Sequence, residues 1–251
     1  MPIKFARKLT GAARVQSANR QLGMVLAFVA GAINAGGFLA IHQYTSHMTG
    51  IVSAIADNAV LGNTGTIPVA LAALCAFTLG AACSALMINF ARRRRLHSQY
   101  ALPLLLEALL LLCFGVAGAQ LNARDPLYVS LTMILLCFMM GLQNALITKL
   151  SGAEIRTTHI TGIVTDIGIE LGRMAYWHSG NHPELPPVRA DRAHLALLLG
   201  LAGCFTGGAF VGAFGFHHAG YAMTLPLAVL LLALVSVPLV DDLRGRRPRL
   251  P

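Results

Sequence analysis

Long stretches without a charged side chain constrain the fold of this chain more than any other feature. No Asp, Glu, Lys or Arg occurs in the ranges 21–56, 58–91, 126–148 and 193–240. A helix of about 20 apolar residues crosses the hydrocarbon layer of a bilayer, so each stretch is long enough for one crossing and the longest for two. Charged residues form only 12% of the chain, about half the share usual in soluble domains. These features predict an all-α, multi-pass membrane protein and argue against a soluble enzyme.

The apolar runs predict six membrane-spanning helices. Two moderately apolar segments, 43–63 and 151–177, are left between them. Because these segments contain more polar residues than the spans, we expect them to re-enter the bilayer or lie at its surface. The predicted spans are 21–42, 66–90, 99–120, 126–149, 193–215 and 222–240.

The basic residues predict the orientation of these spans. With a cytoplasmic N-terminus and six crossings, all of the 19 Lys and Arg residues except Arg124 lie on the cytoplasmic side. An eight-span alternative, in which both remaining segments cross, would place Arg92 to Arg95 outside and agrees less well with the positive-inside rule. We therefore expect two three-span units between basic cytoplasmic tails. The units are 21–122 and 123–240, and the tails are 1–20 and 241–251.

Two short motifs recur in the same order in both halves of the chain. Gly31-Ala-Ile-Asn34-Ala35 matches Gly141-Leu-Gln-Asn144-Ala145, and His47-Met-Thr49-Gly50 matches His159-Ile-Thr161-Gly162. In each half the first motif lies in a predicted span and the second lies in the polar segment that follows it. This shared order indicates an internal duplication. Because each unit has three spans, the second is inserted upside down, which predicts an inverted 3+3 repeat. In many such proteins the substrate site lies near the bilayer midplane, between the repeats.

The same residues resemble those of the YoaK family, also called DUF1275, of bacterial inner-membrane proteins. The resemblance extends from about Gly23 to Val240. It implies a bacterial inner-membrane location and no particular substrate. One difference is Ile51, where that family often has Asn after the first Thr-Gly. The matching segments are Gly31 to Asn34, Ser46-His-Met-Thr-Gly50, Met140-Gly-Leu-Gln-Asn-Ala145, Arg156-Thr-Thr-His-Ile-Thr-Gly162, Asp166 and Glu170-Leu-Gly-Arg173.

Glu107 is a candidate pathway residue because it lies in the middle of the third predicted span. A carboxyl group at that depth is unfavourable by several kcal/mol unless it is protonated, paired or exposed to water. One hypothesis makes Glu107 a proton or cation carrier. The alternative is a neutral acid that donates a hydrogen bond to a neighbouring helix.

The repeated motifs supply further pathway candidates, each with a structural alternative. His47 and His159 are suited to binding an anion or relaying a proton, or to capping a helix. Thr49-Gly50 and Thr161-Gly162 are typical of a helix N-terminus, where free amides suit an anionic group or the Thr simply caps the helix. Asn34 and Asn144 either coordinate a solute or connect two helices.

Charged residues near the motifs suggest ion binding or gating. Asp57 has no cation in its own segment and is a candidate ion ligand, as is Asp166. Glu170 lies four residues after Asp166 and three before Arg173, on one helical face. With Arg156, this group is either a cytoplasmic gate or an interfacial salt-bridge network.

Other functional classes find little support in the sequence. The net charge of +9 lies in loops that flank the spans, so nucleic-acid binding is not expected. The five cysteines and nine histidines lack metal-site spacings; the cysteines are interpreted as small buried side chains. Without a nucleotide-binding loop or a nucleophile–base pattern, we expect neither a cofactor nor enzymatic activity, and an intramembrane enzyme is the weakest hypothesis.

The leading functional hypothesis is a permease or secondary transporter for a small solute or ion. The alternative is a non-transporting scaffold or sensor whose basic tails contact anionic lipid or a protein partner. Membrane lipid and an unidentified solute are the expected partners. Small residues spaced four apart favour close helix packing, either within the protein or between the protomers of a homo-oligomer; they are Gly203, Gly207, Gly208 and Gly212.

Overall fold

All regular structure in the described part of the chain is helical, as the sequence predicts. A computed structural model describes residues 16–94, 96, 99–120, 126–152, 155, 157–176 and 188–243. Short 3₁₀ turns lie at Thr64–Thr66 and Gly220–Met223. The α-helices are α1 (Gln16–Ile41), α2 (Met48–Val60), α3 (Ile67–Arg93), α4 (Ala101–Gln120), α5 (Pro126–Ser151), α6 (Ile160–Ala175), α7 (Arg192–Ala219) and α8 (Thr224–Leu243).

Five helical stretches are long and apolar enough to cross a membrane. The last, Arg192–Ser236, contains α7, a 3₁₀ turn and most of α8. Gly220, whose φ is 56°, lies in that turn, where the absence of a Cβ makes a left-handed backbone accessible. The chain is thus a multi-pass helical membrane protein by length and composition. The other four stretches are Asn19–Ile41, Thr64–Arg93, Ala101–Ala119 and Leu127–Ser151.

The helices α2 and α6 are too short to cross a bilayer. They contain 13 and 16 residues, whereas a crossing needs about 20. They occupy the two polar segments that separate the predicted spans. Each remaining helix coincides with one predicted span, with ends that differ by a few residues.

Two parallel helix pairs, α1 with α7 and α3 with α5, form the closest packing in the fold. A Cβ at Gly31 of α1 would overlap the carbonyl oxygen of Phe205 in α7, and a Cβ at Gly208 of α7 would overlap that of Phe28 in α1. Only a residue without a side chain allows this approach of the two backbones. The contact therefore depends on a Gly from each helix.

The α3–α5 pair repeats the same arrangement. A Cβ at Gly141 would overlap the carbonyl oxygen of Phe77, and a Cβ at Gly80 would overlap that of Phe138. Each of the four helices thus contributes one Phe-x-x-Gly sequence. They lie at 28–31, 77–80, 138–141 and 205–208.

The two parallel pairs run in opposite directions. Asn19 Nδ2 of α1 donates to the carbonyl of Leu150 in α5 at 3.2 Å, and Gln143 Nε2 donates to the carbonyl of Leu26 at 3.3 Å. The start of α1 therefore lies beside the end of α5, so these helices are antiparallel. Likewise α8 runs back along α4, since the last turns of α4 contact Tyr221 and Thr224.

The buried core lies between α1, α5, α4 and α8, and large apolar side chains such as Leu79 and Phe210 cover the outside. One sequence-based prediction is wrong here. Of the five cysteines only Cys137 is buried, whereas Cys75 and Cys113 are exposed on the apolar surface. A hydrophobic pattern predicts burial in an apolar medium but does not distinguish the protein interior from lipid.

Candidate functional site

The short helices α2 and α6 both begin at one cavity. Its volume is about 810 Å³, within the range of small-molecule sites. Both His-x-Thr-Gly segments line it, together with residues of α1, α3, α5 and α7. The lining residues are Asn34, Tyr44, Ser46, His47, Met48, Thr49, Phe77, Asn144, Thr148, Thr158, His159, Ile160, Thr161 and Phe205.

An Asn in each half fixes the loop that precedes the short helix. The hydroxyl of Ser46 donates to Asn34 Oδ1 at 3.0 Å, and the hydroxyl of Thr158 donates to Asn144 Oδ1 at 2.9 Å. The two hydrogen bonds connect equivalent positions of the predicted repeats. Each asparagine therefore connects its helix to a loop and not to a second helix, and both side chains also line the cavity.

The histidines occupy the N-cap positions but do not cap the helices with their rings. Neither His47 nor His159 makes a side-chain capping hydrogen bond. Each imidazole instead lies over the glycine three residues later, so that a Cβ at Gly50 or Gly162 would meet the ring. Both histidines are exposed and both line the cavity. The hypothesis that the rings are simple caps is therefore wrong.

The threonines lie inside the first helical turn and not at its cap. Thr49 is the second residue of α2 and Thr161 the second residue of α6, so the N-capping interpretation is wrong for both. Ile51 N–H donates to His47 O at 3.1 Å, the first backbone bond of α2. The amides before it have no partner within the helix and carry the positive end of the helix dipole. The start of α6 has the same arrangement, with Ile163 N–H donating to His159 O.

The cavity wall combines apolar side chains such as Phe77 and Phe205 with polar ones. Its polar lining consists of hydroxyl, amide and imidazole groups, and among the described residues it includes no Asp, Glu, Lys or Arg. A bare cation would find no carboxylate there to compensate its lost hydration. The arrangement instead suits a neutral polar group or an anion that accepts hydrogen bonds from hydroxyls, amides and helix N-termini.

Glu107 lies outside this cavity, in the middle of α4, which packs against α8 and α5. Its side chain is completely buried, and neither carboxyl oxygen has a hydrogen-bond partner among the described residues. No described residue therefore supplies the acceptor that a hydrogen bond from Glu107 to a neighbouring helix would need.

The other charged candidates lie away from the cavity. Asp57 and Asp166 are exposed on α2 and α6. Glu170 is buried and accepts hydrogen bonds from Arg173 Nη1 at 2.7 Å and from Asp191 N–H at 2.8 Å. It therefore connects α6 to the residue before α7 through a backbone amide, while its ion pair with Arg173 lies within α6. Arg156 lies outside the described residues.

Several lining residues were not identified from the sequence. Ser46 and Thr158 each immediately precede a repeated histidine, so extending the motif by one residue would have found them. Phe77 and Phe205 belong to the Phe-x-x-Gly sequences, which recur in four helices at unequal intervals. A search for one repeat distance does not reveal them.

The apolar helices and the cavity between them define a multi-pass helical membrane protein with an internal polar site. The chain belongs to the DUF1275 family, described as a protein of unknown function, whose model matches residues 22–237. This confirms the family resemblance seen in the sequence. Comparisons with curated proteins and with solved structures give no match.

Proposed function

We propose that this protein is a permease or secondary transporter for a small polar solute, with the cavity at the starts of α2 and α6 as its binding site. The observation that carries the proposal is that equivalent residues of both halves converge on one cavity. Asn34 and Asn144, with His47 and His159, line the same space. A site shared between inverted repeats is a common feature of secondary transporters.

The proposal includes six crossings and an inverted 3+3 repeat, with α2 and α6 entering the membrane from opposite sides. Six crossings require α1 and α7 to be parallel, and α5 to be antiparallel to α1. The contacts of α1 with α7 and α5 agree with this requirement. Eight crossings would make α1, α3, α5 and α7 all parallel, so the helix directions favour six.

The proposed location is the bacterial inner membrane, with both termini in the cytoplasm. With six crossings, the basic residues Arg92, Arg93, Lys149 and Arg173 lie on one side, which the positive-inside rule makes cytoplasmic. The proposed activity is movement of a solute without chemical change. It needs neither an enzyme active site nor a cofactor.

The chemistry of the cavity supports a neutral or anionic solute over a cation. Two helix N-termini and two imidazoles face the space, and no carboxylate lines it among the residues that the structure describes. The hydroxyls of Ser46 and Thr158 already donate to the two asparagines, so the amides at the two helix starts and the imidazoles are the donors that remain for a solute. The solute class proposed is therefore a small molecule with several hydrogen-bond acceptors.

Glu107 is proposed as the proton carrier that couples this movement to a pH gradient. Its complete burial without a hydrogen-bond partner among the described residues supports a side chain that exchanges a proton during the cycle. An ionisable group inside a membrane protein is a functional candidate for the same reason. Glu107 lies outside the solute cavity, so its proton and the solute would follow different routes.

Reconstitution into vesicles tests the function. The purified protein is expected to take up at least one solute from a panel of polyols, amides, carboxylates and inorganic anions, and not alkali cations. A variant with both His47→Ala and His159→Ala should lose this uptake, whereas the exposed Asp57→Asn should retain it. If no solute of the panel moves while a known permease in matched vesicles is active, the scaffold or sensor hypothesis replaces this one.

A further inference from the structure

The central cavity continues into two crevices, one in each parallel helix pair. The α1–α7 crevice has a volume of about 400 Å³ and shares Asn34, Tyr44 and Phe205 with the cavity. The α3–α5 crevice has a volume of about 560 Å³ and shares Phe77, Asn144 and Thr148 with it. The cavity thus adjoins an open crevice on each side, and the α1–α7 crevice also includes the exposed side chains of Leu39 and Phe210.

The two crevices are built from equivalent residues. Phe205, Ala209 and Ala213 line one face of α7, with a spacing of four residues, and Phe77, Ala81 and Ala85 line α3 with the same spacing. The facing helices contribute Asn34-Ala35 and Asn144-Ala145. Both crevices therefore repeat one design, which the predicted duplication of the chain explains.

The crevices lead toward opposite faces of the molecule. From the cavity, each follows its helices toward their C-terminal ends, to Ala213 in α7 and to Ala85 in α3. Since the α1–α7 pair is antiparallel to the α3–α5 pair, these ends lie on opposite sides. The two crevices therefore run from the cavity toward different sides of the membrane.

We propose that the two crevices are the two halves of the permeation pathway, with Phe205 and Phe77 as the paired gates between each half and the central site. Each Phe lines both the cavity and its own crevice, so a turn of its ring is sufficient to open or close the connection. This inference rests on the proposed permease function and assigns a gating role to two residues outside the His-x-Thr-Gly motifs.

The two crevices contain different contacts. In the α3–α5 crevice, Lys149 Nζ donates to Asn89 Oδ1 at 2.7 Å and to the Ala85 carbonyl at 3.4 Å, which connects α5 to α3. In the α1–α7 crevice, the ring of Phe38 stacks on Tyr44 with a centroid distance of 4.7 Å. Because Tyr44 also lines the central cavity, this aromatic stack lies where the crevice meets the cavity.

Cysteine labelling from each side of the membrane tests this pathway without knowledge of the solute. The five native cysteines are first replaced in the full chain, and Ala213→Cys or Ala85→Cys is then introduced. A membrane-impermeant thiol reagent is expected to label Ala213→Cys from one face only and Ala85→Cys from the other face only. The control Leu79→Cys faces lipid and should react from neither face, because a thiol in hydrocarbon does not ionise.

The gates are tested by a cysteine in the central cavity, Thr49→Cys. Phe205→Ala should increase its labelling rate several-fold from the face that labels Ala213→Cys, and Phe77→Ala should do so from the opposite face. Leu79→Ala should change neither rate. Labelling of both crevice cysteines from one face, or of neither, would overturn the pathway, as would unchanged rates in both Phe variants.

Solute uptake distinguishes this inference from the function on which it rests. Uptake together with labelling from opposite faces supports both. Uptake without that labelling pattern overturns only the pathway. If the cysteines label from opposite faces but no solute moves, the permease function is overturned and the pathway with it.

Discussion

Gly141 lies so close to the backbone carbonyl of Phe77 that any side chain at position 141 would overlap its oxygen. Because that neighbour is backbone, it does not move aside by a change of rotamer. Gly141→Ala is therefore expected to destabilise the protein by about 1–3 kcal/mol, the usual range for overpacking. The equivalent Gly31→Ala should behave in the same way. The measurement is the unfolding temperature of the purified protein in detergent.

Gly203→Ala is the matched control for these variants. It changes the same residue type in a spanning helix, but nothing lies within 4 Å of the position a Cβ would take. Its unfolding temperature should stay the same or rise slightly, because Ala has the higher helix propensity. Equal losses in Gly141→Ala and Gly203→Ala would show that backbone contact is not the cause.

A double-mutant cycle measures the hydrogen bond between Thr158 and Asn144. Thr158→Val and Asn144→Ala should each destabilise the protein, and their effects should be less than additive by about 1 kcal/mol, the usual net value of such a bond. Asn58→Ala is the control for loss of an asparagine hydrogen bond at a position that does not line the cavity. Strict additivity of the two substitutions would mean that the contact is not energetically coupled.

Glu107→Gln removes the ionisable proton while keeping the shape of the side chain. If Glu107 is the proton carrier, the variant should retain its unfolding temperature but lose acceleration of uptake by a pH gradient. Leu109→Gln, on an exposed face of the same helix, controls for an added amide. Uptake that responds to the gradient as strongly as in the unmodified protein would exclude this role.

Loss of Glu170 should reduce stability more than loss of its ion-pair partner Arg173. Glu170→Ala leaves the Asp191 amide and Arg173 without their acceptor, and hydrogen bonds to a charged group contribute about 1.5–3 kcal/mol. Arg173→Ala removes a half-exposed partner, for which about 0–1 kcal/mol is usual. The unfolding temperature of Glu170→Ala should therefore be well below that of Arg173→Ala. The reverse order would argue against the structural role of Glu170.

Asp191 should make stability depend on pH in the acid range. Hydrogen bonds from the backbone amides of His194 and Ala193 hold the pKa of its carboxyl below the ordinary value of 3.8. A lowered pKa in the folded state means that the stabilisation is present above 3.8 and is lost as the pH falls through the folded-state pKa. Asp191→Asn should therefore be less stable than the unmodified protein near neutral pH, with a difference that shrinks on acidification. A difference independent of pH would contradict this.

The succession of helices was predictable from the sequence because membrane spans are long and nearly free of charge. The polar segments around His47 and His159 were recognised for the same reason, by their contrast with the spans. How the helices pair was not predictable. Gly208 was recognised as a residue that favours close helix packing, but nothing in the sequence identifies α1 as its partner or Gly31 as the facing residue.

The site was predicted in part. The repeated Asn and His residues line one cavity, which is the arrangement that an inverted repeat predicts. Glu107 and Asp57 were candidates only because they are charged, and both lie outside the cavity. A charged residue in an apolar segment is energetically unfavourable, but the sequence does not indicate which groups surround it. Phe77 and Phe205 were missed because an apolar side chain that lines a polar cavity has no distinguishing mark in the sequence.

The two Phe-x-x-Gly pairs also determine how this protein must be made. Each pair takes one helix from the first half of the chain and one from the second, so neither half can complete its own packing. During synthesis α1 enters the membrane before its partner α7 has been made. Its glycine face therefore stays unpaired until the segments from α2 to α6 have been inserted. If each half were expressed alone, it should be unable to fold, whereas the two halves produced together as separate chains should recover the complete molecule.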